Sequence, residues 1–421
     1  MKLNIIVVII VLFQTSYFSC SSPSVSETQS KKNENNQVTE PEEISEEQED
    51  AKINIVVGAE WLDGYLNLIE NQKIGLVVNQ TSKVGDDFLV DVLLEKGIQI
   101  NKIFAPEHGF RGTADAGEKV KNGKDLKTGI DIHSLYGKNK KPSKSDLEDL
   151  DWIIFDIQDV GARFYTFIST MTYVMDACAK YGVKCLVLDR PNPNGHFIDG
   201  PVLKETHRSF VGLHKIPVVH GMTIGEYAKM VNGEGWLESG KKCDLTVIPC
   251  QNYSHQFFYD LPVKPSPNLP NSLSIALYPS LCFFEGTEVS IGRGTDKQFQ
   301  LMGAPNFPNG NFEFIPEPKP GAKYPKHNGK KCSGFDLSVL DLREVRKAGK
   351  LEIKYLINFY KDYHSKEDFF LENLFFDKLA GGTELRNQII NGVTEDKIRK
   401  SWEKDLSAFK SIRQKYLIYE E

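Results

Sequence analysis

Short apolar runs recur along this chain, each closing on a polar side chain and each parted from the next by a helix-like stretch, and this rhythm restricts the fold more than any other feature. Lys73–Val78 reads as a buried strand ending at Asn79, Phe88–Glu95 as a helix, and Ile98–Ala105 as the next strand. Asp151–Phe155 then forms a strand ending at Asp156, Tyr165–Tyr181 a long helix, and Val183–Leu188 a strand ending at Asp189, with Leu245–Pro249 as one more. Strands alternating with helices at this spacing predict an α/β fold with a doubly wound, mostly parallel sheet. In such sheets ligands gather beyond the carboxyl ends of the strands, where loops converge and helix N-termini present free N–H groups. Asn79, Glu107, Asp156 and Asp189 all fall at or just after strand ends, followed by turn-forming residues, and the series points to one shared crevice.

The 421 residues exceed the usual single-domain size, so two packed domains behind a leader are expected. Residues 1–20 carry Lys2 and then the apolar stretch Ile5–Phe13, too short to span a bilayer, which predicts a signal peptide. Cys20 follows directly, in Ser19-Cys20-Ser21-Ser22, and resembles the lipidated cysteine of bacterial lipoproteins, although Tyr17 and Phe18 stand where that motif has Leu and a small residue. Residues 21–52 are Ser, Glu, Gln, Asn and Lys with almost no apolar side chain, the composition of a disordered polar tether. The folded body is then expected to divide into an N-terminal domain over 53–265 and a smaller α+β domain over 266–421, where proline-rich and glycine-punctuated segments change the texture. Together these features predict a cell-envelope protein held to a membrane by a lipid anchor. A formal net charge of −6 with no basic stripe argues against nucleic acid as a partner. Six further cysteines could pair outside the cytoplasm, but Cys178 and Cys185 sit in core-like elements and read as small buried apolar groups. No CxxC pair, HExxH helix, Walker loop or dinucleotide turn is present, so no metal and no cofactor is expected.

Several polar constellations sit where the crevice should lie. Pro106-Glu107-His108-Gly109-Phe110-Arg111-Gly112 offers a proton donor, a hydrogen-bonding partner and an anion clamp between glycines, though a salt-bridged surface loop would read the same way. In Asp156-Ile157-Gln158-Asp159-Val160-Gly161-Ala162-Arg163-Phe164-Tyr165, the acids and the amide suit sugar hydroxyls, while Arg163 and Tyr165 suit an acidic substituent or a ring. A structural Asp159–Arg163 pair is the competing reading. Asp189-Arg190-Pro191-Asn192-Pro193 is a turn stiffened by its prolines, and Thr223 with Glu226 has the spacing of a helix-capping box just after His220. Farther on, Glu285, Glu288, Arg293 and Asp296 lie in a glycine-rich run able to close a cleft against the first domain.

The ordered series PEHGFRG, DIQDVGARFYTFISTM, DRPNPNG, GPVL, HGMTIGEYA, PSPNLP, EGTEVSIGRGTD and WEKDLSAFKSIRQKYLIY resembles the bacterial exo-β-N-acetylmuramidase family, from about Gly58 to Tyr419. The resemblance implies a Rossmann-like domain joined to a smaller C-terminal domain, with the active site in the cleft between them. The implied activity is hydrolysis of terminal, non-reducing N-acetylmuramic acid (MurNAc) from peptidoglycan fragments. It also implies catalytic roles for Glu107, as the acid, with His108 and Asp156 beside it. Asn79, Arg111, Gln158, Asp159, Arg163, Tyr165, Asp189, Arg190, Asn192, His220, Glu285, Arg293 and Asp296 become substrate-binding candidates, with Arg163 suited to the lactyl carboxylate. Glu288 departs from the family, which has Asn there. A muropeptide-binding lipoprotein without catalysis, or an envelope hydrolase for another acidic amino sugar, would carry much the same pattern.

Overall fold

In a computed structural model of the chain, residues 54–106, 110–111 and 122–421 are described. Their first strands are β1 (Ile74–Val78), β2 (Lys83–Val84), β3 (Asp87–Phe88), β4 (Ile100–Ala105), β5 (Gly123–Lys124), β6 (Asp131–Ser134), β7 (Trp152–Asp156), β8 (Lys184–Leu188) and β9 (Leu245–Ile248). Among the described residues a seven-stranded sheet runs β5-β6-β4-β1-β7-β8-β9, while β2 and β3 form a separate hairpin. Its pairings are parallel except for the antiparallel edge β5–β6. The expected sheet is therefore present, and the short β5 and β6 are additions that the apolar rhythm does not signal, since none of their residues is fully buried.

Every residue of β1 and β7 is buried, which is why both read as unbroken apolar runs. Alternate side chains divide between the two faces. Leu76, Val78, Ile154, Leu186 and Leu188 pack on one side with Tyr65 and Ile69 from the segment around α1 (Leu66–Ile69) and with Leu89 and Leu93 of α2 (Leu89–Glu95). Val77, Ile153, Phe155, Cys185 and Val187 face the other side, against a core that includes Met171 and Met175 of α4 (Phe167–Tyr181) and Tyr227 of α5 (Ile224–Gly233). The short α3 (Lys144–Leu147) lies before β7. Gly182, in the left-handed region at φ 78°, ends α4 and lets the chain turn straight into β8.

After α6 (Ser272–Leu281) come β10 (Leu301–Ala304), β11 (Phe312–Phe314) and β12 (Cys332–Asp336), a small antiparallel sheet ordered β10-β12-β11. Helices α7 (Leu342–Lys347), α8 (Lys354–Asp362), α9 (Phe375–Ala380), α10 (Glu384–Ile390) and α11 (Glu395–Arg413) complete this smaller C-terminal domain. Its aromatic core, including Phe283, Phe284, Phe359 and Phe376, is continuous with the α4 side of the large sheet. Phe164 meets Phe283 edge-on with ring centroids 5.8 Å apart, so aromatic packing fixes the two parts against each other.

Candidate active site

Strand order locates the crevice. β1 is followed on one side by β4 and β6, and on the other by β7, β8 and β9, so the winding reverses between β1 and β7. Ligands of open α/β sheets bind just beyond such a reversal. β1 ends next to Asn79 and β7 ends at Asp156. Asn79 Oδ1 accepts from the Thr81 N–H at 2.8 Å and from Thr81 Oγ1 at 2.6 Å, while the Asn79 N–H donates to Ser82 Oγ at 2.9 Å. Ser82 Oγ in turn donates to the Asp156 carbonyl, so the turn after β1 is tied to the end of β7. Asn79 is fully buried, and among the described residues its Nδ2 has no acceptor, which leaves one donor at the reversal point.

Asp156 is equally buried and takes Arg190 Nε at 2.6 Å and Nη2 at 2.9 Å on its two oxygens. Arg190 Nη2 also donates to the Lys83 carbonyl at 2.9 Å, joining the β2–β3 hairpin to the same pair. Burial pushes the Asp156 carboxyl up, and the Arg190 guanidinium pulls it back. Gln158 spends its amide on the carbonyls of Asp159 and Pro191 at 2.8 and 2.7 Å. Asp159 Oδ2 accepts the N–H of Gly161 at 2.7 Å, and Oδ1 has no partner among the described residues. With no cation against it, burial raises Asp159 to about 7. Gly161 turns at φ 76°, where a Cβ would lie 2.3 Å from Asn192 Oδ1, so this junction accepts only glycine.

Several residues expected to bind substrate instead brace the scaffold. Arg163 has no exposed surface: Nη1 donates to the carbonyls of Pro201 and Ile216 at 2.7 Å each, and Nη2 to Leu379 at 2.8 Å. Nor does it pair with Asp159, and burial lowers it to about 9. Asp189 accepts from Thr223 Oγ1, the Gly225 N–H and Tyr419 Oη at 2.6–2.7 Å, which docks the start of α5 and the C-terminal segment on β8. Asn192 bridges the Met222 carbonyl and the Asn194 N–H at 2.8 Å each. His220 is wholly buried, 3.7 Å from Asp159, and burial lowers it to about 3. Arg111 is engaged bidentately by Asp125 at 2.8 and 2.9 Å. Asp296 points outward with its side chain 88% exposed, paired with Lys319. Thr223 and Glu226 form the anticipated capping box. Cys178 and Cys185 are buried free thiols, as are Cys243, Cys250, Cys282 and Cys332. Glu107, His108 and Cys20 lie outside the described residues.

Three expected site residues do meet. Tyr165, Glu285 and Arg293 line a cavity of about 180 Å³ between the large-sheet domain and the C-terminal domain. Phe164, Tyr278 and Phe299 supply aromatic walls, and Ser266 and Asn268 add polar groups. Tyr165 Oη donates to the Pro265 carbonyl at 2.7 Å, and Gln80 Nε2 donates to the same carbonyl at 3.1 Å, so the cavity and the turn after β1 share one strut. Asn268 is nearly fully buried, with Nδ2 on the Gly321 carbonyl at 2.7 Å and Oδ1 without a partner among the described residues. The cavity lies at the N-terminus of α4, where Thr166 supplies no side-chain cap. Arg293 Nε donates to Glu285 at 2.5 Å, and its terminal nitrogens make no hydrogen bond among the described residues. Burial works against the Arg293 charge, but Glu285 outweighs it and raises the pKa. Ser266, Asn268 and Tyr278 were not singled out from sequence; only the PSPNLP run containing the first two was a visible signal.

A doubly wound α/β domain with polar groups at its strand ends, linked through Pro265 to an aromatic, arginine-bearing cavity beside a second domain, is a small-ligand-binding class of architecture. The family descriptions "Exo-beta-N-acetylmuramidase NamZ, N-terminal" and "Exo-beta-N-acetylmuramidase NamZ, C-terminal" match residues 74–273 and 276–419. The chain is 41% identical over 379 residues to the peptidoglycan beta-N-acetylmuramidase NamZ of Bacillus subtilis (strain 168), covering 85% of this chain and 89% of that protein. A crystal structure of a DUF1343 family protein from Bacteroides fragilis NCTC 9343 is similar at a TM-score of 0.81 and 46% identity, covering 87% of this chain and 99% of that one. A second DUF1343 family protein from the same strain gives 0.74 at 29% identity, covering 88% and 100%. With both halves matched in order, this chain belongs to the exo-β-N-acetylmuramidase NamZ family.

Proposed function

We propose that this protein is a glycoside hydrolase, an exo-β-N-acetylmuramidase that releases terminal non-reducing MurNAc from peptidoglycan fragments. The observation that carries the reading is 41% identity along 85% of the chain to a peptidoglycan beta-N-acetylmuramidase. Glu107, two residues past the end of β4 in sequence, is the proton donor to the leaving oxygen. Asp156, clamped by Arg190, is a fixed negative charge at the reversal point rather than a freely moving base. The donor on Asn79 and the acceptors on Asp159 and Asn268 suit sugar hydroxyls.

Arg293 takes the role that sequence alone gave to Arg163. The cavity is smaller than a pocket that swallows a whole drug-sized ligand, so it suits one substituent of a sugar. Unsatisfied guanidinium nitrogens beside the N-terminus of a fifteen-residue helix suit an anionic substituent, the lactyl carboxylate that separates MurNAc from N-acetylglucosamine (GlcNAc). Arg293→Ala should raise KM for a MurNAc glycoside about tenfold or more, with little change for a GlcNAc glycoside. Parallel losses on both substrates would remove Arg293 from this role.

The protein works in the cell envelope, tethered through a lipid on Cys20 by the polar segment 21–52. Metabolic labelling with a fatty-acid analogue should mark the wild-type chain and leave Cys20→Ser unmarked. Equal labelling of both would exclude that anchor.

A further inference from the structure

Helix α6 separates two cavities. Tyr278 faces the candidate active site, whereas Ala276, Leu277 and Ser280 line a second cavity of about 240 Å³ that also touches α7 and the segment Asn194–Phe197. None of the residues assigned to cleavage borders this second space. Its walls hold polar atoms without partners. Arg346 is only 7% exposed; its Nη2 donates to Asp260 Oδ1 at 2.6 Å and to the Tyr259 carbonyl at 3.3 Å, but its Nε hydrogen has no acceptor among the described residues. Both ring nitrogens of His196 are buried. The Arg346 main chain lies near enough to pull the imidazole pKa partly back from the fall caused by burial, yet neither nitrogen reaches a partner in hydrogen-bond geometry. Glu352 Oε1 also makes no hydrogen bond, with Lys350 Nζ 3.6 Å away. A buried polar atom left without a partner is costly, so a cluster of them around one space suits a ligand able to donate and accept.

The chemistry of the ligand follows from what is missing. Arg346 Nε needs an acceptor, Glu352 Oε1 needs a donor, and a neutral imidazole needs one of each. Asp260 already neutralises Arg346, and among the remaining charges of the lining Asp341, Glu344 and Glu352 outnumber Lys350, which disfavours an anion. Phe197, Leu277, Leu340 and Tyr355 add apolar surface to the lining. Hydroxyl groups both donate and accept, and a pyranose presents them around an apolar ring face. We propose that this cavity is a second, non-catalytic site that holds one uncharged sugar ring, a GlcNAc residue of the glycan. The choice of GlcNAc rests on the muramidase reading above; the existence of a neutral-sugar site does not.

Calorimetric titration of the full folded chain with free GlcNAc, beside Ala348→Trp and His196→Ala, tests the proposal. Ala348 is exposed and borders the cavity, so tryptophan there blocks the space without disturbing the core. Wild-type protein should bind GlcNAc, Ala348→Trp should lose at least tenfold in affinity, and both variants should still release MurNAc from a soluble disaccharide at the wild-type rate. A crystal soaked with GlcNAc should show the ring against Arg346 and His196. Undiminished binding by Ala348→Trp, or a soaked crystal with only ordered water in the cavity, would overturn the proposal. Failure of the protein to cleave MurNAc would overturn the catalytic reading while leaving this titration to be judged on its own.

Discussion

Asp159 carries an acid where burial outweighs the backbone N–H groups of Gly161 and Val160 and no cation is at hand, and the result is a carboxyl raised to about 7. An acid whose folded pKa lies above its unfolded value binds its proton more tightly in the native state. Its stabilising contribution is complete below about 4 and is lost as pH rises through about 7, a swing of up to roughly 4 kcal/mol. His220, 3.7 Å away, works in the opposite sense: lowered to about 3, its contribution is present above about 6.5 and is lost as pH falls through about 3. Asp159→Asn keeps an oxygen for the Gly161 N–H and removes the titration. The melting temperature of wild type should therefore fall relative to Asp159→Asn as pH rises from about 4 to about 8. Superimposable profiles would show that the Asp159 carboxyl does not titrate in that range. Arg163 shows the same physics from the basic side: a guanidinium encased in backbone carbonyls is a strut, and no sequence spacing distinguishes it from a clamp for a ligand.

The N-terminus of α5 is the element whose local sequence and tertiary placement agree most fully. Thr223 and Glu226 cap each other's backbone N–H groups, and the Thr223 hydroxyl also donates to Asp189 at the end of β8. Thr223→Ala removes the cap, worth about 1–2 kcal/mol, and leaves a buried carboxylate oxygen short of a donor. Urea denaturation should show a loss of roughly 2–4 kcal/mol; a loss under about 0.5 kcal/mol would mean that α5 is held by its apolar face alone. Elements of this kind were legible because their signals are local: apolar runs for β1, β7 and β8, and a capping box for α5. β5 and β6 were not, because half-exposed edge strands carry no apolar run. Candidate site residues were legible as positions at strand ends, but their roles were not. Asp189 and Asn192 stand beside the crevice in sequence and turn inward in space, because the docked α5 and Met222 claim their polar atoms first. Asn268 went unmarked because its cavity is assembled from segments far apart in sequence, from Phe164 to Phe299.

At the scale of the molecule, each part supplies half of what the chemistry needs. The large sheet brings the ends of β1, β4 and β7 together at the winding reversal, and the C-terminal domain brings Glu285 and Arg293 against the start of α4. The Pro265–Asn268 strut touches both, through Gln80 and Tyr165 on the large-sheet side and through the Gly321 carbonyl on the other. In the proposed muramidase reaction one sugar would lie across this junction, with its bond to the next residue over the strand ends and its acidic substituent under the second domain. Incubating the chain with a MurNAc-GlcNAc disaccharide, beside Glu107→Gln, tests the proposed cleavage and its proton donor together. Wild type should release free MurNAc, and the variant should lose about a hundredfold or more of that rate, the range set by removal of a general acid. Wild-type protein that binds the disaccharide without releasing MurNAc, or a Glu107→Gln variant that releases it at the wild-type rate, would contradict the proposal.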